Sequence, residues 1–216
     1  MHDVTTWVRR RLAEKGFHSA SSGALGILVS RQSLPDVHVY CAGMDPAERF
    51  SSRDLERAVD AMPDAEFVVV VPTRIADAAY ELAEELEVCV AGFGELVDAL
   101  QHTDDVRAHV DSQERYERRR LTRHPVVTGL RRRGHHTYTI ERGRLAALTI
   151  ATTDRYEFTA DELYGLLEAH EGIDLDLVVV TNPNCRGLST DSLAAARQTG
   201  TRVVLLSDFL DDLHLA

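Results

Sequence analysis

Three carboxylates close to one predicted strand are candidates for metal chemistry. Asp154 and Glu157 follow a strand predicted over residues 145–152, and Glu141 lies on the strand predicted before it. Carboxylate oxygens bind Mg²⁺ or Mn²⁺, and the bound ion can activate water for hydrolysis. Polar residues in a loop before a capped helix are the commoner cause of such a pattern, and we favour that interpretation.

A second candidate site is the loop at residues 181–187, between a predicted buried strand and a predicted helix. Asn182, Asn184 and Arg186, with the backbone amides at the start of the helix, are suited to hold a phosphate or a carboxylate. The loop lacks the lysine and the glycines of the common phosphate-binding motifs. Because asparagine, proline and glycine also build turns, we favour a turn without a ligand.

The arginines of the chain are clustered, at residues 9–11, 118–120 and 131–133. Such clusters are typical of surfaces that contact the phosphates of a nucleic acid, DNA or RNA. The alternative is a solvated face on which the arginines pair with neighbouring Glu and Asp. The candidates for nucleic-acid binding are Arg118, Arg119, Arg120, Arg131, Arg132 and Arg133.

The composition is that of a globular protein, with 44% hydrophobic and 27% charged residues. The net charge of −11 argues against a protein whose whole surface binds nucleic acid. The longest apolar runs have the length of strands, and the first residues lack the features of a signal peptide. We therefore expect a cytoplasmic protein that does not enter a membrane. Three distant cysteines predict free thiols, with neither a disulfide framework nor a zinc site.

An internal repeat indicates how the chain is organised. Residues 50–55 are echoed by residues 158–163, and each copy continues through a helix into an apolar strand. A repeat of about a hundred residues has the size of a domain. The sequence therefore predicts a first α/β module at residues 1–101, a charged, solvated linker helix at residues 102–123 and a second module at residues 124–216.

Each module is predicted to be a mixed β-sheet flanked by helices. Opening helices are expected at residues 4–15 and 126–133. Antiparallel strand pairs follow, at residues 25–31 with 37–42, joined by a turn at residues 34–36, and at residues 136–141 with 145–152. Capped helices beginning after Ser51 or Ser52 and after Thr159 lead into buried strands at residues 67–71 and 175–181.

This order of elements resembles the restriction-endonuclease-like fold, and the Mrr-type restriction endonucleases in particular. The most similar stretch is an apolar strand ending at residues 180–182, an alanine-bearing helix at residues 194–196 and a strand at residues 200–206. In that family, an acid on the second strand and an acid-x-lysine pair on the third bind a divalent metal. In this chain the corresponding residues, 37–42 and 146–151, contain neither an acid nor a lysine. The resemblance therefore implies a degenerate active site in both modules.

Three functions remain open after these observations. The first is a catalytically degenerate, restriction-endonuclease-like protein without a cofactor. It would be a nucleic-acid-binding or protein-interaction module in DNA restriction, repair or defence. The second is an active nuclease that uses Mg²⁺ or Mn²⁺ on carboxylates drawn from Asp36, Glu141, Asp154 or Glu157. The third is a non-enzymatic scaffold that packs or forms a homodimer through its sheets.

Overall fold

The chain folds into two compact units, Met1–Asp111 and Ser112–Ala216. The structure is a computed structural model and describes residues 3–185 and 187–215. Among these residues, no helix has both the length and the apolar character needed to span a membrane. Each unit contains a five-stranded mixed sheet with helices, which confirms the predicted α/β fold class and the two related modules.

The first unit starts with a helix and three antiparallel strands, after which helices and strands alternate. Its elements are α1 (Val4–Glu14), β1 (His18–Ser21), β2 (Gly26–Arg31), β3 (Leu34–Gly43), α2 (Ser52–Ala61), β4 (Phe67–Val71), α3 (Asp77–Glu85), β5 (Cys89–Ala91), α4 (Phe93–His102) and a 3₁₀ helix, Val106–Ala108. The strands lie in the order β1-β2-β3-β4-β5. Strands β1 to β3 are antiparallel, whereas β3, β4 and β5 are parallel.

Strand β4 separates two hydrophobic cores. Phe67 and Val69 belong to the core that also contains side chains of α1 and α4. Val68 and Val70 belong to the core that contains side chains of α2 and α3. Successive side chains of a strand point to opposite faces, so a strand covered on both faces must be apolar throughout. The run of valines therefore predicts β4 correctly, with its first residue at Phe67 and its last at Val71.

The second unit has the same order of elements. They are α5 (Ser112–Thr122), β6 (Gly129–Gly134), β7 (Thr137–Arg142), β8 (Leu145–Thr153), α6 (Ala160–Ala169), β9 (Leu177–Val180), α7 (Thr190–Thr199), β10 (Arg202–Leu205) and α8 (Leu206–Asp212). Its sheet runs β10-β9-β8-β7-β6, with the first three strands parallel and the last three antiparallel. Leu177 and Val179 share a core with α5 and α8, and Val178 and Val180 share one with α6 and α7.

The repeat is visible in the helix that follows the third strand of each unit. Ser51 caps α2 and Thr159 caps α6, each by accepting the backbone N–H three residues later. The acid at that third position, Asp54 or Glu162, accepts the backbone N–H of the capping residue in return. Such a capping box satisfies N–H groups that lack a partner within the helix. The predicted helix starts are therefore confirmed in both units.

An arginine at the end of the second strand provides a second, longer-range match between the units. Arg31 ends β2 and donates from Nε to Pro35 O at 3.0 Å, and Arg142 ends β7 and donates from Nε to Ala146 O at 2.9 Å. Each guanidinium also donates to two carbonyl oxygens just after an α-helix, α4 in the first unit and α8 in the second, which ties the segment after that helix to the sheet. These carbonyls belong to Thr103 and Asp104 in the first unit and to Leu213 and Leu215 in the second.

Both units contain an antiparallel edge strand that the sequence does not predict. The predicted opening helix at residues 126–133 is wrong, because residues 129–134 form β6. Strand β6 pairs on one side with β7. An edge strand needs little burial, and its arginine-rich sequence lacks the apolar alternation that identifies a strand. The other edge strand, β1, has exposed or half-buried residues throughout and was missed for the same reason.

Two further predictions need correction. The turn between β2 and β3 was expected at residues 34–36, but it lies at residues 32–33, where Ser33 adopts a φ of 67°. Pro35 therefore lies inside β3, close to its first residue, where a strand tolerates proline. The charged helix expected to be solvated is α5, and it buries Glu114, Glu117 and Leu121 in the second unit.

Candidate functional site

The two buried glutamates of α5 are the most unusual feature of the second unit. Glutamate is rarely buried unless it is paired, so Glu114 and Glu117 need an explanation. They lie with Leu121 on one face of α5, at spacings of three and four residues. In the first unit, α1 buries residues at the same two spacings, namely Thr5, Val8 and Leu12. The second unit therefore has carboxylates where the first has a threonine and a valine.

Glu117 is completely buried and accepts hydrogen bonds on both carboxylate oxygens. Oε2 lies 3.0 Å from the Tyr138 hydroxyl and 2.9 Å from His136 Nδ1. Oε1 lies 2.9 Å from Gln113 Nε2, whose other hydrogen is directed to Thr181 Oγ1 at 2.7 Å. A carboxylate acceptor requires that Nδ1 of His136 carry the proton. These contacts join α5 to β7 and to the end of β9.

Tyr138 is a donor that does not ionise under ordinary conditions. Burial raises the pKa of Tyr138 far above its usual value of 10.0, and the neighbouring carboxylates of Glu114 and Glu117 raise it further. The hydroxyl therefore keeps its proton and donates a hydrogen bond to Oε2 of Glu117. The ring of Tyr138 also faces the guanidinium of Arg118, whose central carbon lies 6.0 Å from the ring centroid.

Glu114 is paired with two arginines. Its Oε1 lies 2.9 Å from Arg118 Nε and its Oε2 lies 3.1 Å from Arg132. The Glu114 side chain is 1% exposed, against 14% for Arg132 and 30% for Arg118. A buried carboxylate is tolerated when its charge is compensated and its lone pairs accept hydrogen bonds, and Glu114 meets both conditions.

The sheet residues that face α5 complete the site. Strand β7 contributes Tyr138 and Ile140, and β8 contributes Ile150 and Thr152. Thr152 donates its hydroxyl hydrogen to the His136 carbonyl at 3.1 Å. These four positions therefore hold an aromatic, two aliphatic side chains and a hydroxyl, all of them neutral. The acidic groups of the site come from α5 and not from the strands.

The three predicted metal ligands are not brought together. Glu141 lies next to the β7–β8 turn and pairs with Gly129 on β6. Asp154 and Glu157 follow the opposite end of β8, whose nine residues span roughly 30 Å at about 3.3 Å per residue. All three side chains are exposed. A single cation therefore cannot contact Glu141 together with the other two.

The predicted anion-binding loop contains a hydrogen-bonded turn. Asn182 donates from Nδ2 to Asp154 O at 2.7 Å and accepts the Asn184 backbone N–H on Oδ1 at 2.9 Å. Both polar groups of the Asn182 side chain are thus engaged by the chain itself. Arg186 lies outside the described residues. The contacts of Asn182 agree with the turn interpretation, and anion binding stays a prediction.

The six candidate arginines fall into different environments. Arg118 and Arg132 pair with the buried Glu114. Because side chains alternate along a strand, Arg131 points to the opposite face of the sheet from Arg132; it is exposed, whereas Arg133 is half-buried. The remaining two, Arg119 and Arg120, are exposed in the last turn of α5.

Positive charge is concentrated in the first part of the second unit. Residues 112–144 contain ten arginines and three glutamates, whereas the chain as a whole has a net charge of −11. Arg123 follows α5 directly and is exposed. It lies four residues after Arg119 and three after Arg120, a spacing that places the three on one side of the helix end. We refer to Arg119, Arg120 and Arg123 as the basic patch of α5.

Comparison with known proteins gives no family for this chain. No family model, no curated protein and no solved structure matches it. Its assignment therefore rests on the architecture of the two units and on the chemistry of the residues described above.

Proposed function

We propose that the protein is a tandem of two restriction-endonuclease-like modules that lack nuclease chemistry and act in nucleic-acid binding. In each unit a helix, three antiparallel strands, a helix and a parallel strand follow one another, which is the order that the resemblance implies. The setting we propose is DNA restriction, repair or defence, because the resemblance is to restriction endonucleases.

The main support for lost catalysis is the set of strand residues in front of the first helix. A metal-dependent nuclease needs carboxylates on adjacent strands that converge on one ion. Here the buried residues of the second and third strands include no acid in either unit, and the charged residue among them is Arg142. The buried neutral residues in front of the first helix are Ile27, Val29, Val37, Val39 and Cys41 in the first unit and Tyr138, Ile140, Ile150 and Thr152 in the second.

The carboxylates of α5 do not replace the missing ligands. A divalent cation at Glu114 would have to displace Arg118 and Arg132, which already compensate its charge. At Glu117 it would have to displace the hydrogen bonds from Tyr138 and His136. Both glutamates therefore contribute to the structure of the unit, and Glu114 holds two arginines in place.

Nucleic-acid binding is supported by the basic patch of α5. Three exposed guanidinium groups at one helix end suit the phosphates of a nucleic-acid backbone. Cations at the carboxyl end of a helix also interact favourably with the helix dipole, which gives these arginines a structural role besides binding. A binding experiment separates the two roles, because only the first predicts a salt-dependent complex.

The test measures binding of labelled single-stranded DNA, duplex DNA and RNA by fluorescence anisotropy between 50 and 200 mM NaCl. Replacing Arg119, Arg120 and Arg123 by Gln should remove about three phosphate contacts and lower the slope of log K against log salt for the duplex by about 2.7. The matched control replaces three exposed arginines of the same unit by Gln. They are Arg144, Arg197 and Arg202.

The proposal requires that the control variant retain most of the wild-type slope. Equal losses in the two variants would mean that net charge alone attracts the nucleic acid, and absence of binding to all three probes would refute the proposal. The nuclease alternative has its own signature. Plasmid cleavage with Mg²⁺ or Mn²⁺ that disappears in Asp154→Ala or Glu157→Ala would establish it and overturn the assignment of lost catalysis.

A further inference from the structure

The first unit contains a cavity at the carboxyl ends of its central parallel strands. The cavity has a volume of about 520 Å³ and lies where β3 ends at Gly43 and β4 ends at Val71. Pockets for small molecules have volumes of about 300–1,000 Å³. In open α/β sheets, ligands bind at the carboxyl ends of the strands. Both the size and the place of this cavity are therefore those of a ligand site.

Apolar and aromatic side chains form most of the cavity wall. Val4 and Trp7 contribute from α1, Met44 and Pro46 from the loop after β3, and Val71 from β4. Gly43 allows the close approach of α1, since a Cβ at this position would lie 3.2 Å from the Cβ of Val4. The Trp7 ring is held edge-on against Phe93, with a centroid distance of 5.3 Å. The aromatic wall therefore packs against a second aromatic ring of the same unit.

The charged residues of the cavity lining are both acidic. Asp45 and Glu48 lie in the loop after β3 and are exposed. Asp45 Oδ1 accepts the Ala47 backbone N–H at 2.9 Å, which leaves the second carboxylate oxygen for another partner. An aromatic ring face also attracts cations, but the central carbon of the Arg11 guanidinium already lies 6.0 Å from the centroid of the Trp7 ring, so the preference for a cationic ligand rests on the two carboxylates.

The equivalent region of the second unit is built differently. Val39 pairs with Phe67 in the first unit, and Ile150 pairs with Leu177 in the same way in the second. Val71 and Thr181 each lie four residues further along the chain and are therefore counterparts. The helix spacing described above makes Gln113 the counterpart of Val4, and Gln113 donates to Thr181 at 2.7 Å. The second unit thus has a hydrogen-bonded contact where the first unit has an open apolar wall.

We propose that this cavity binds a small organic cation, an amine or guanidinium attached to an aromatic or aliphatic body. The body packs against Trp7, Met44 and Val71, and the cationic group lies beside Asp45 and Glu48. The site belongs to the first unit alone and is independent of the basic patch of α5. An anion of the same shape binds less well, because it would be placed next to the carboxylates of Asp45 and Glu48, and the described residues that line the cavity include no cation.

The chain contains a built-in reporter for this site. Trp7 is the single tryptophan of the sequence and lines the cavity, so its fluorescence reports a bound probe directly. Three probes with similar bodies separate charge from shape: 2-phenylethylamine, the neutral 2-phenylethanol and the anion 3-phenylpropionate. We expect a saturable fluorescence change with the amine, at a Kd at least tenfold lower than that for the anion.

Two sets of substitutions test whether the probe binds in the cavity. Asp45→Asn with Glu48→Gln should weaken amine binding at least fivefold and remove its advantage over the alcohol. The control removes two exposed acids on α2 and α3, by Asp60→Asn with Glu85→Gln, and should leave the affinity within twofold of wild type. Val4→Phe, read by equilibrium dialysis because it alters the surroundings of Trp7, should weaken binding of the amine and the alcohol alike.

Several results would overturn the proposal. One is a lack of saturable binding of the amine, and another is equal affinity for the amine and the anion. A third is an equal loss of affinity in the control pair, which would assign the effect to net charge. Unchanged amine binding in Val4→Phe would place the probe outside the cavity and would refute the proposal as well.

Discussion

Replacing Glu117 and Tyr138 singly and together tests whether the buried network of α5 behaves as one unit. Glu117→Leu leaves the Tyr138 hydroxyl, which is fully buried, without its acceptor. Tyr138→Phe removes one donor from a carboxylate that still accepts from His136 and Gln113. The double variant removes both members of the pair and replaces them with side chains of similar volume. The remaining donors have other partners, since His136 is 19% exposed and Gln113 also contacts Thr181.

The magnitudes follow from the cost of leaving a buried polar group unpaired. An orphaned donor costs about 1–3 kcal/mol, and the lost hydrogen bonds to a carboxylate add to it, so Glu117→Leu should destabilise the second unit by about 2–4 kcal/mol. Tyr138→Phe should cost about 1–2 kcal/mol. Because the double variant leaves no orphaned tyrosine hydroxyl, it should cost no more than Glu117→Leu alone. The implied coupling energy is about 1–2 kcal/mol.

Hydrogen exchange measured by mass spectrometry reads out the second unit separately. Peptides from α5 and β7 give the free energy of opening for each member of the cycle, and peptides from the first unit serve as an internal reference. Tyr164→Phe is the matched control, because its exposed hydroxyl contacts Gln198 at 3.2 Å and should contribute less than about 0.5 kcal/mol. Strict additivity of the Glu117 and Tyr138 effects would refute the argument, since independent sites share no orphaned group.

Two more predictions concern the shared scaffold. Arg142→Ala should destabilise the second unit by about 2–4 kcal/mol and speed hydrogen exchange of residues 206–215, because Arg142 is buried and donates to three carbonyls. Arg31→Ala should destabilise the first unit by less, since Arg31 is half-buried. Equal losses of stability in the two variants would contradict this reasoning. The hydroxyl and N–H of Ser51 lower the pKa of Asp54 from 3.8, so its carboxylate stabilises α2 at neutral pH and loses this effect as the pH falls below that value. Between pH 5 and pH 3 the urea midpoint should therefore fall further for the wild type than for Asp54→Asn, and parallel curves would exclude the effect.

The sequence predicts those elements whose residues carry a local signal. The apolar run at residues 67–71 and the capping residues Ser51 and Thr159 each specify structure through their immediate neighbours. Gly200, which ends α7 in the left-handed conformation with a φ of 71°, is another such signal. Strands β1 and β6 carry none, because an edge strand is defined by the strand it pairs with and tolerates polar residues on both faces.

The buried glutamates were missed because a charged helix without an apolar stripe is normally solvated. Glu114 and Glu117 are buried only because partners distant in the chain reach them, among them Arg132 and Tyr138 from the neighbouring strands. One signal in the sequence identifies them. The spacing of Glu114, Glu117 and Leu121 repeats the three-and-four spacing of the buried face of α1, and this match is visible once β6 is recognised as a strand.

The two units differ most where their first helix meets the ends of the central strands. The scaffold is shared, since both units have a capping box and an arginine that ties the segment after α4 or α8 to the sheet. The polar network is not required by that scaffold, because the first unit is built with Val8 in the place of Glu117 and Val71 in the place of Thr181. A buried network costs desolvation that an apolar core avoids, so the network marks the place where the second unit departs from the shared scaffold. There Glu114 pairs with Arg118 and Arg132, whereas the first unit has a cavity in the same region.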